Sequence, residues 1–235
     1  MATENHWRAP RIHGELLRLG VDVSERTVSR YLRALPSRPE RRHNWRTFLK
    51  NHREVIAAMD FFTVPTATFR TLYVLFVIGH GRRDIAHWNI TEHPSAHWVS
   101  QQLREAFPFD SGSRYLVFDR DTIFSAEVVR VVRCMSIEPT RTSYRSPWQN
   151  GVAERFVGTV RRELLDHLIV LDDRHLRRVL GEYIGYYLTD RTHLGLEKDA
   201  PMVRLVEPRP AGATGVDAGP RAGGLHHRYS WRAAA

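Results

Sequence analysis

Three runs of β-branched and aromatic residues follow one another between Val55 and Thr91, separated at Val64-Pro65-Thr66 and at Gly79-His80-Gly81. Runs of this kind bounded by turn residues predict a meander of antiparallel strands. Ser95 to Phe107 then has helical spacing through Trp98, Leu103 and Phe107; Arg114 to Phe118 reads as a further strand and Ser125 to Met135 as a further helix. Beyond a polar segment from Glu138 to Pro147, Val152, Phe156, Val160 and Leu164 recur every four residues. That stripe predicts a long helix from about Gln149 to Ile169, followed by another from Asp173 to Leu188. The order strands, helix, strand, helix predicts an α/β layered domain.

The N-terminal segment, residues 1–36, has a different pattern. Pro10 suits the first turn of a short helix and Gly20 its stop, while Ser24 can cap a second helix running to about Leu35. Val28, Tyr31, Leu32 and Leu35 fall on one face of that second helix, and Arg26, Ser29, Arg30 and Arg33 fall largely elsewhere. This is a helix-turn-helix pattern, in which an Arg-bearing helix can enter the major groove of DNA. An ordinary helical hairpin has the same pattern. Residues 37–53 read as a basic linker, since Pro39 interrupts helix and the arginines keep it solvated. From 206 to 235 the chain reads as a flexible basic tail, on the Pro/Gly/Ala-rich composition of 207–224.

The net charge of +9 and a pI near 10.3 favour a polyanionic partner. Residues 1–55 carry 12 Lys/Arg against 6 Asp/Glu, so most of the excess sits at the N-terminal end. The longest strongly apolar stretch, Leu72 to Ile78, is far shorter than the roughly 20 residues of a membrane helix. No charged and apolar leader opens the chain, and cytoplasm is the expected location. One cysteine, Cys134, allows no intramolecular disulfide, and its apolar helical neighbours mark it as a core residue. The 13 histidines lack Cys-x-x-Cys partners, which argues against a zinc finger.

Three acids carry the candidate chemistry. Asp60 ends the apolar run Val55-Ile56-Ala57-Ala58-Met59, Asp119 ends Tyr115-Leu116-Val117-Phe118, and Glu154 lies one turn into the helix opened by Gln149-Asn150-Gly151. At about 100° per residue Glu154 falls near the opposite side from Phe156, with Gly158, Arg161 and Leu165, on the accessible face. Two strands and a helix delivering carboxylates to one point suit a hard divalent cation, which takes oxygen ligands. Taken singly, each acid reads as a loop cap or a solvated surface group. Trp148 precedes the helix and reads more readily as packing than as a base-stacking platform.

Asp60-Phe61, Phe118-Asp119-Arg120-Asp121-Thr122-Ile123-Phe124 and Ser146-Pro147-Trp148-Gln149-Asn150-Gly151-Val152-Ala153-Glu154-Arg155-Phe156 resemble the catalytic core of retroviral-type integrases and related bacterial insertion-sequence transposases. The resemblance extends from about residue 50 to 205 and implies an integrase-like catalytic domain over 54–205. It implies an RNase H-like fold, with a mixed five-stranded sheet flanked by helices and preceded by the helix-turn-helix segment. It also implies that Asp60, Asp119 and Glu154 hold Mg²⁺ or Mn²⁺, two ions in all, for DNA strand cleavage and strand transfer. Double-stranded DNA and further copies of the chain are the implied partners. Asn150, Arg155, Arg161 and Arg162, with Arg26, Arg30 and Arg33, are the candidate DNA contacts; a solvated helix face is the competing reading for those beyond Asn150.

The match departs from the family in one place, since Arg120-Asp121 stands where Asn-Gly usually follows the second acid. Asp121 is therefore an alternative ligand or simply a loop cap. In the resembled transposases the helical DNA-binding region begins well before the point matching Trp7-Arg8-Ala9-Pro10, so a late start is expected here. An RNase H-like nuclease that cleaves without joining, and a noncatalytic or decayed sequence-specific DNA-binding protein, are the alternative functions.

Overall fold

The computed structural model describes residues 9–34, 45, 47–108, 112–144 and 146–232, which fall into two compact units, Met1–Lys50 and Asn51–Ala235. In the first, α1 (Ala9–Arg18) and α2 (Glu25–Ala34) pack through Ala9, Ile12 and Val28, with Leu16, Val23 and Leu32 against them. Gly20 adopts a left-handed φ of 77°, and the amide of Val21 donates to the Leu16 carbonyl at 2.9 Å, which closes α1. The Ser24 hydroxyl accepts the Thr27 amide at 3.2 Å, the cap expected of it. Tyr31 departs from expectation, being 66% exposed rather than packed on the apolar face. With two short helices, the small core is filled by Val28 and Leu32, and the larger ring is left outside. Leu35 lies outside the described residues, as does most of the expected linker; its residues 47–50 are helical.

The second unit is built on a five-stranded sheet of order β3-β2-β1-β4-β5. The predicted meander is β1 (Ile56–Pro65), β2 (Thr71–Gly79) and β3 (Ile85–Thr91), antiparallel throughout. β4 (Tyr115–Phe118) lies parallel to β1 after the crossover α3 (Ala96–Ala106), and β5 (Glu138–Arg141) lies parallel to β4 after α4 (Ala126–Cys134). α5 (Gly151–Glu163) and α6 (Asp173–Thr189) complete the layers. This mixed sheet flanked by helices is the RNase H-like architecture.

Side-chain alternation divides the sheet between two cores. Ala57, Met59, Leu75 and Val77 join Val99 and Leu103 of α3 and Val128 and Val132 of α4. The alternate positions face the other way, where the rings of Phe62 and Phe76 lie 6.0 Å apart and Phe76 packs on Phe156 of α5 at 4.7 Å. Phe156 in turn meets Tyr187 of α6 edge-on at 5.2 Å. Asp60 shares the parity of Phe62 and pairs with Phe76 across the β1–β2 ladder. The strand period therefore turns its carboxylate toward the α5 side of the sheet.

Several boundaries differ from the pattern. The expected helix 149–169 stops at Glu163, and a separate 3₁₀ turn covers Leu165–His167. The His167 imidazole is hydrogen-bonded to the Arg162 carbonyl at 2.9 Å, satisfying a helix-end acceptor. Cys134 is exposed rather than core, because Val128 and Val132 form the inward stripe of α4. The expected flexible tail instead contains an antiparallel hairpin, β6 (Gly215–Arg221) with β7 (His226–Arg232).

Composition concealed what fixes that hairpin. The buried Asp190 carboxylate accepts Arg221 at 2.7 Å and Arg228 at 3.1 Å, while His226 stacks on Tyr186 at 4.5 Å and meets the Glu163 carbonyl at 2.8 Å. Among the described residues no helix is long and apolar enough to cross a membrane.

Candidate active site

Asp60 sits half-buried mid-strand on β1, Asp119 follows the last residue of β4, and Glu154 is exposed in the first turn of α5. Since β1 and β4 are adjacent parallel strands, both aspartates come from the heart of the sheet. Burial pushes the Asp60 carboxyl up from 3.8 to about 7; the amide of Phe61, donating to Oδ1 at 2.8 Å, opposes the shift, and the negative charges of Asp119, Glu154 and Asp121 add to it. The charges of Asp119 and Glu154 are thus both felt at Asp60. Asp119 and Asp60 each commit Oδ1 to a backbone amide, the former to Asp121 at 2.9 Å. Glu154 makes no hydrogen bond or ion pair among the described residues.

Asp121 is occupied differently. Its Oδ1 accepts the Ile123 amide at 3.0 Å, an Asx-type turn that holds the loop after β4 and leads into buried Phe124. The loop-cap reading fits this bond, although the charge of Asp121 is also felt at Asp60.

Asn150 links the two elements that carry Asp60 and Glu154. It is buried, its amide donates to the Met59 carbonyl at 3.4 Å, and its Oδ1 has no hydrogen-bond partner. The bond ties the residue before Asp60 to the start of the helix that carries Glu154, so Asn150 registers one acid against another. Trp148 is half-buried beside it.

Among the described residues no group of three or more His, Cys, Asp or Glu side chains is closed into a ready-made metal cage. The donor set nevertheless fits a hard divalent cation, since Asp60, Asp119 and Glu154 offer only carboxylate oxygens.

The predicted basic residues divide into groups. Arg26 and Arg30 are exposed on α2, and the side chain of Arg33 lies outside the described residues. Arg161 reaches the Thr63 carbonyl at 3.4 Å, and Arg162 is exposed at the end of α5. Arg155 lines a cleft with Arg83 and Arg191. Sequence reasoning missed the last two, since neither stands beside the acids in the chain.

Strand order, parallel crossovers and helix placement define an RNase H-like fold. The family described as integrase core domain matches residues 135–201, less than a third of the chain, which includes Glu154 but neither aspartate. No curated protein matches the chain. Among solved structures, the catalytic domain of Mos1 mariner transposase is similar with a TM-score of 0.53 and 12% identity, over 62% of this chain and 79% of that one. A simian T-cell lymphotropic virus intasome gives a TM-score of 0.50 and 13% identity, over 77% of this chain and 67% of that one. The HTLV-2 integrase catalytic core in complex with magnesium gives 0.50 and 10%, over 63% of this chain and 93% of that one. At such identities the likeness is one of fold.

Proposed function

We propose that the chain is a metal-dependent polynucleotidyl transferase of the transposase and integrase type, cleaving DNA strands and joining them to target DNA. The observation that carries this reading is the convergence of charge from Asp119 and Glu154 on Asp60, from two strands and a helix. Asp60, Asp119 and Glu154 would hold Mg²⁺ or Mn²⁺, two ions in all. A bound pair supplies activation of the attacking oxygen and stabilisation of the leaving oxygen in an in-line displacement.

The chain's own residues have separate tasks. Asp60 supplies a half-buried carboxylate whose Oδ1 the Phe61 amide holds in place. Asn150 keeps β1 and α5 in register. Arg155, Arg161 and Arg162 line one helix and offer guanidiniums to phosphates, while Arg26 and Arg30, exposed on α2, would meet duplex DNA, with Arg33 a further candidate from the sequence. Joining two DNA ends calls for two active sites, which favours a multimer on DNA; bacterial cytoplasm is the setting that a chromosomal substrate implies.

The test is processing and strand transfer of a labelled oligonucleotide carrying the element end, with Mg²⁺ or Mn²⁺, in wild type and Glu154→Gln. Metal-dependent joining that the variant loses supports the proposal. Cleavage without joining assigns the nuclease instead, and binding with neither activity assigns a noncatalytic DNA-binding protein.

A further inference from the structure

A second feature of α5 lies one residue beyond Glu154. Arg155 opens onto a cleft of about 380 Å³ that is also lined by Arg83 from the β2–β3 turn and by Arg191 and His193 beyond α6. Among the described residues none that lines it is acidic. Arg191 is already engaged: Nε and Nη2 donate to the Glu163 carboxylate at 2.9 and 2.6 Å, and Nη1 lies 3.2 Å from His193 Nδ1. His193 Nε2 faces the Tyr187 carbonyl at 3.3 Å, so the imidazole is neutral, with its proton on Nε2 and Nδ1 accepting from Arg191. Burial and the Arg191 charge hold His193 down at about 4, in keeping with that tautomer.

Arg83 and Arg155 are in the opposite condition. Among the described residues neither side chain makes a hydrogen bond or an ion pair, yet Arg83 is half-buried. Its position is built in. Arg83 has a left-handed φ of 63°, and its guanidinium lies against Gly195, where a Cβ would collide with it. Burial, together with the charges of Arg155, Arg53 and Arg191, pulls Arg83 below the ordinary arginine range. Two guanidiniums facing one acid-free cleft repel each other, and an anion between them relieves that repulsion.

Resting on the polynucleotidyl-transferase reading, we infer that Arg83 and Arg155 form a binding site for a backbone phosphate of the DNA strand, contiguous with the three acids through α5. Adjacent residues on a helix point about 100° apart. Glu154 and Arg155 therefore address neighbouring parts of one strand, the acid at the reacting phosphodiester and the arginine at a phosphate that fixes its register. Guanidiniums suit this task because their planar donors match phosphate oxygens two at a time. The contact is indifferent to base identity.

Fluorescence anisotropy of the full chain with a labelled duplex, without divalent cation and over a series of salt concentrations, tests the site apart from the chemistry. Arg83→Ala and Arg155→Ala are each expected to weaken binding about tenfold and to lower the log–log salt slope by about 1, equally on unrelated sequences. The double variant should lose less than the product of the two, since both arginines hold one phosphate. Gly195→Ala keeps both charges but displaces the Arg83 guanidinium, and should weaken binding in the same direction with an unchanged melting temperature.

Wild-type affinity and slope in both arginine variants would overturn the inference, even if the wild type joins strands. Loss of binding in the variants of a protein that joins no strands would keep the phosphate site and sink the catalytic reading. No duplex binding by wild type at low salt would overturn both.

Discussion

Replacing Asp60 by Asn should stabilise the metal-free protein, by an amount that grows with pH. The folded carboxyl titrates at about 7 against 3.8 for the free group. A carboxyl whose folded value is raised contributes stability that is fully present below the unfolded value and is lost as pH rises through the folded one. Linkage at about 1.4 kcal/mol per tenfold change in proton affinity makes ionised Asp60 cost about 4 kcal/mol at pH 8 and about 2 kcal/mol at pH 5, vanishing below pH 4. Asn is neutral throughout and keeps an oxygen for the Phe61 amide.

The assay is chemical denaturation of wild type and Asp60→Asn in EDTA from pH 5 to pH 8, followed by the same series with Mg²⁺. The advantage of Asn should widen by about 2 kcal/mol across that range. Added Mg²⁺ should narrow it by stabilising only the wild type, since a ligand that binds the native state alone shifts the equilibrium by mass action. A variant less stable than wild type at pH 8, or an advantage that does not change with pH, would refute the reasoning that desolvation and neighbouring charge strain this carboxylate.

Other outcomes follow from packing and exposure. Phe156→Ala, at a site 2% exposed between Phe76 and Tyr187, should cost about 3–5 kcal/mol in a denaturant titration, and a loss below about 1 kcal/mol would show that the second core is loosely packed. Asp190→Ala leaves Arg221 and Arg228 without their shared carboxylate; because both arginines are a third or more exposed, the cost should be near about 2 kcal/mol, read together with faster amide exchange across 215–232. Unchanged exchange there would mean that the Tyr186–His226 stack suffices to seat the hairpin. Cys134, being exposed, should react with a thiol reagent in the native protein as fast as in denaturant-free peptide controls of similar sequence, and protection until unfolding would restore the core assignment.

What could be read in advance follows from how local each signal is. Strands β1 to β3 were legible because Val, Ile, Phe and Tyr runs and their turn residues act within a few positions. The parity that turns Asp60 toward α5 is equally local, a consequence of where it stands in its strand. β5 was not legible: Glu138-Pro139-Thr140-Arg141 has no apolar run, and it is a strand because Tyr115 to Phe118 present an open parallel edge to it. The hairpin after 215 escaped for a related reason. Its glycines and prolines suggest a tail by composition, whereas its seat is Asp190, a buried carboxylate 31 and 38 positions before the two arginines that neutralise it.

The same contrast runs through the site. Asp119 and Glu154 stood out because motif residues surround each, and Asn150 because it opens the helix. Arg83 had no such context in the chain. Only the fold brings a β-turn arginine to face Arg155 across a cleft, and only the accounting of partners, Arg191 satisfied by Glu163 while the other two have none among the described residues, separates a structural ion pair from a candidate phosphate contact. Charge counts alone could not have drawn that distinction, since all three residues contribute equally to the net +9. The unpaired ones are therefore the positions where the basic character of the chain bears most directly on what it binds.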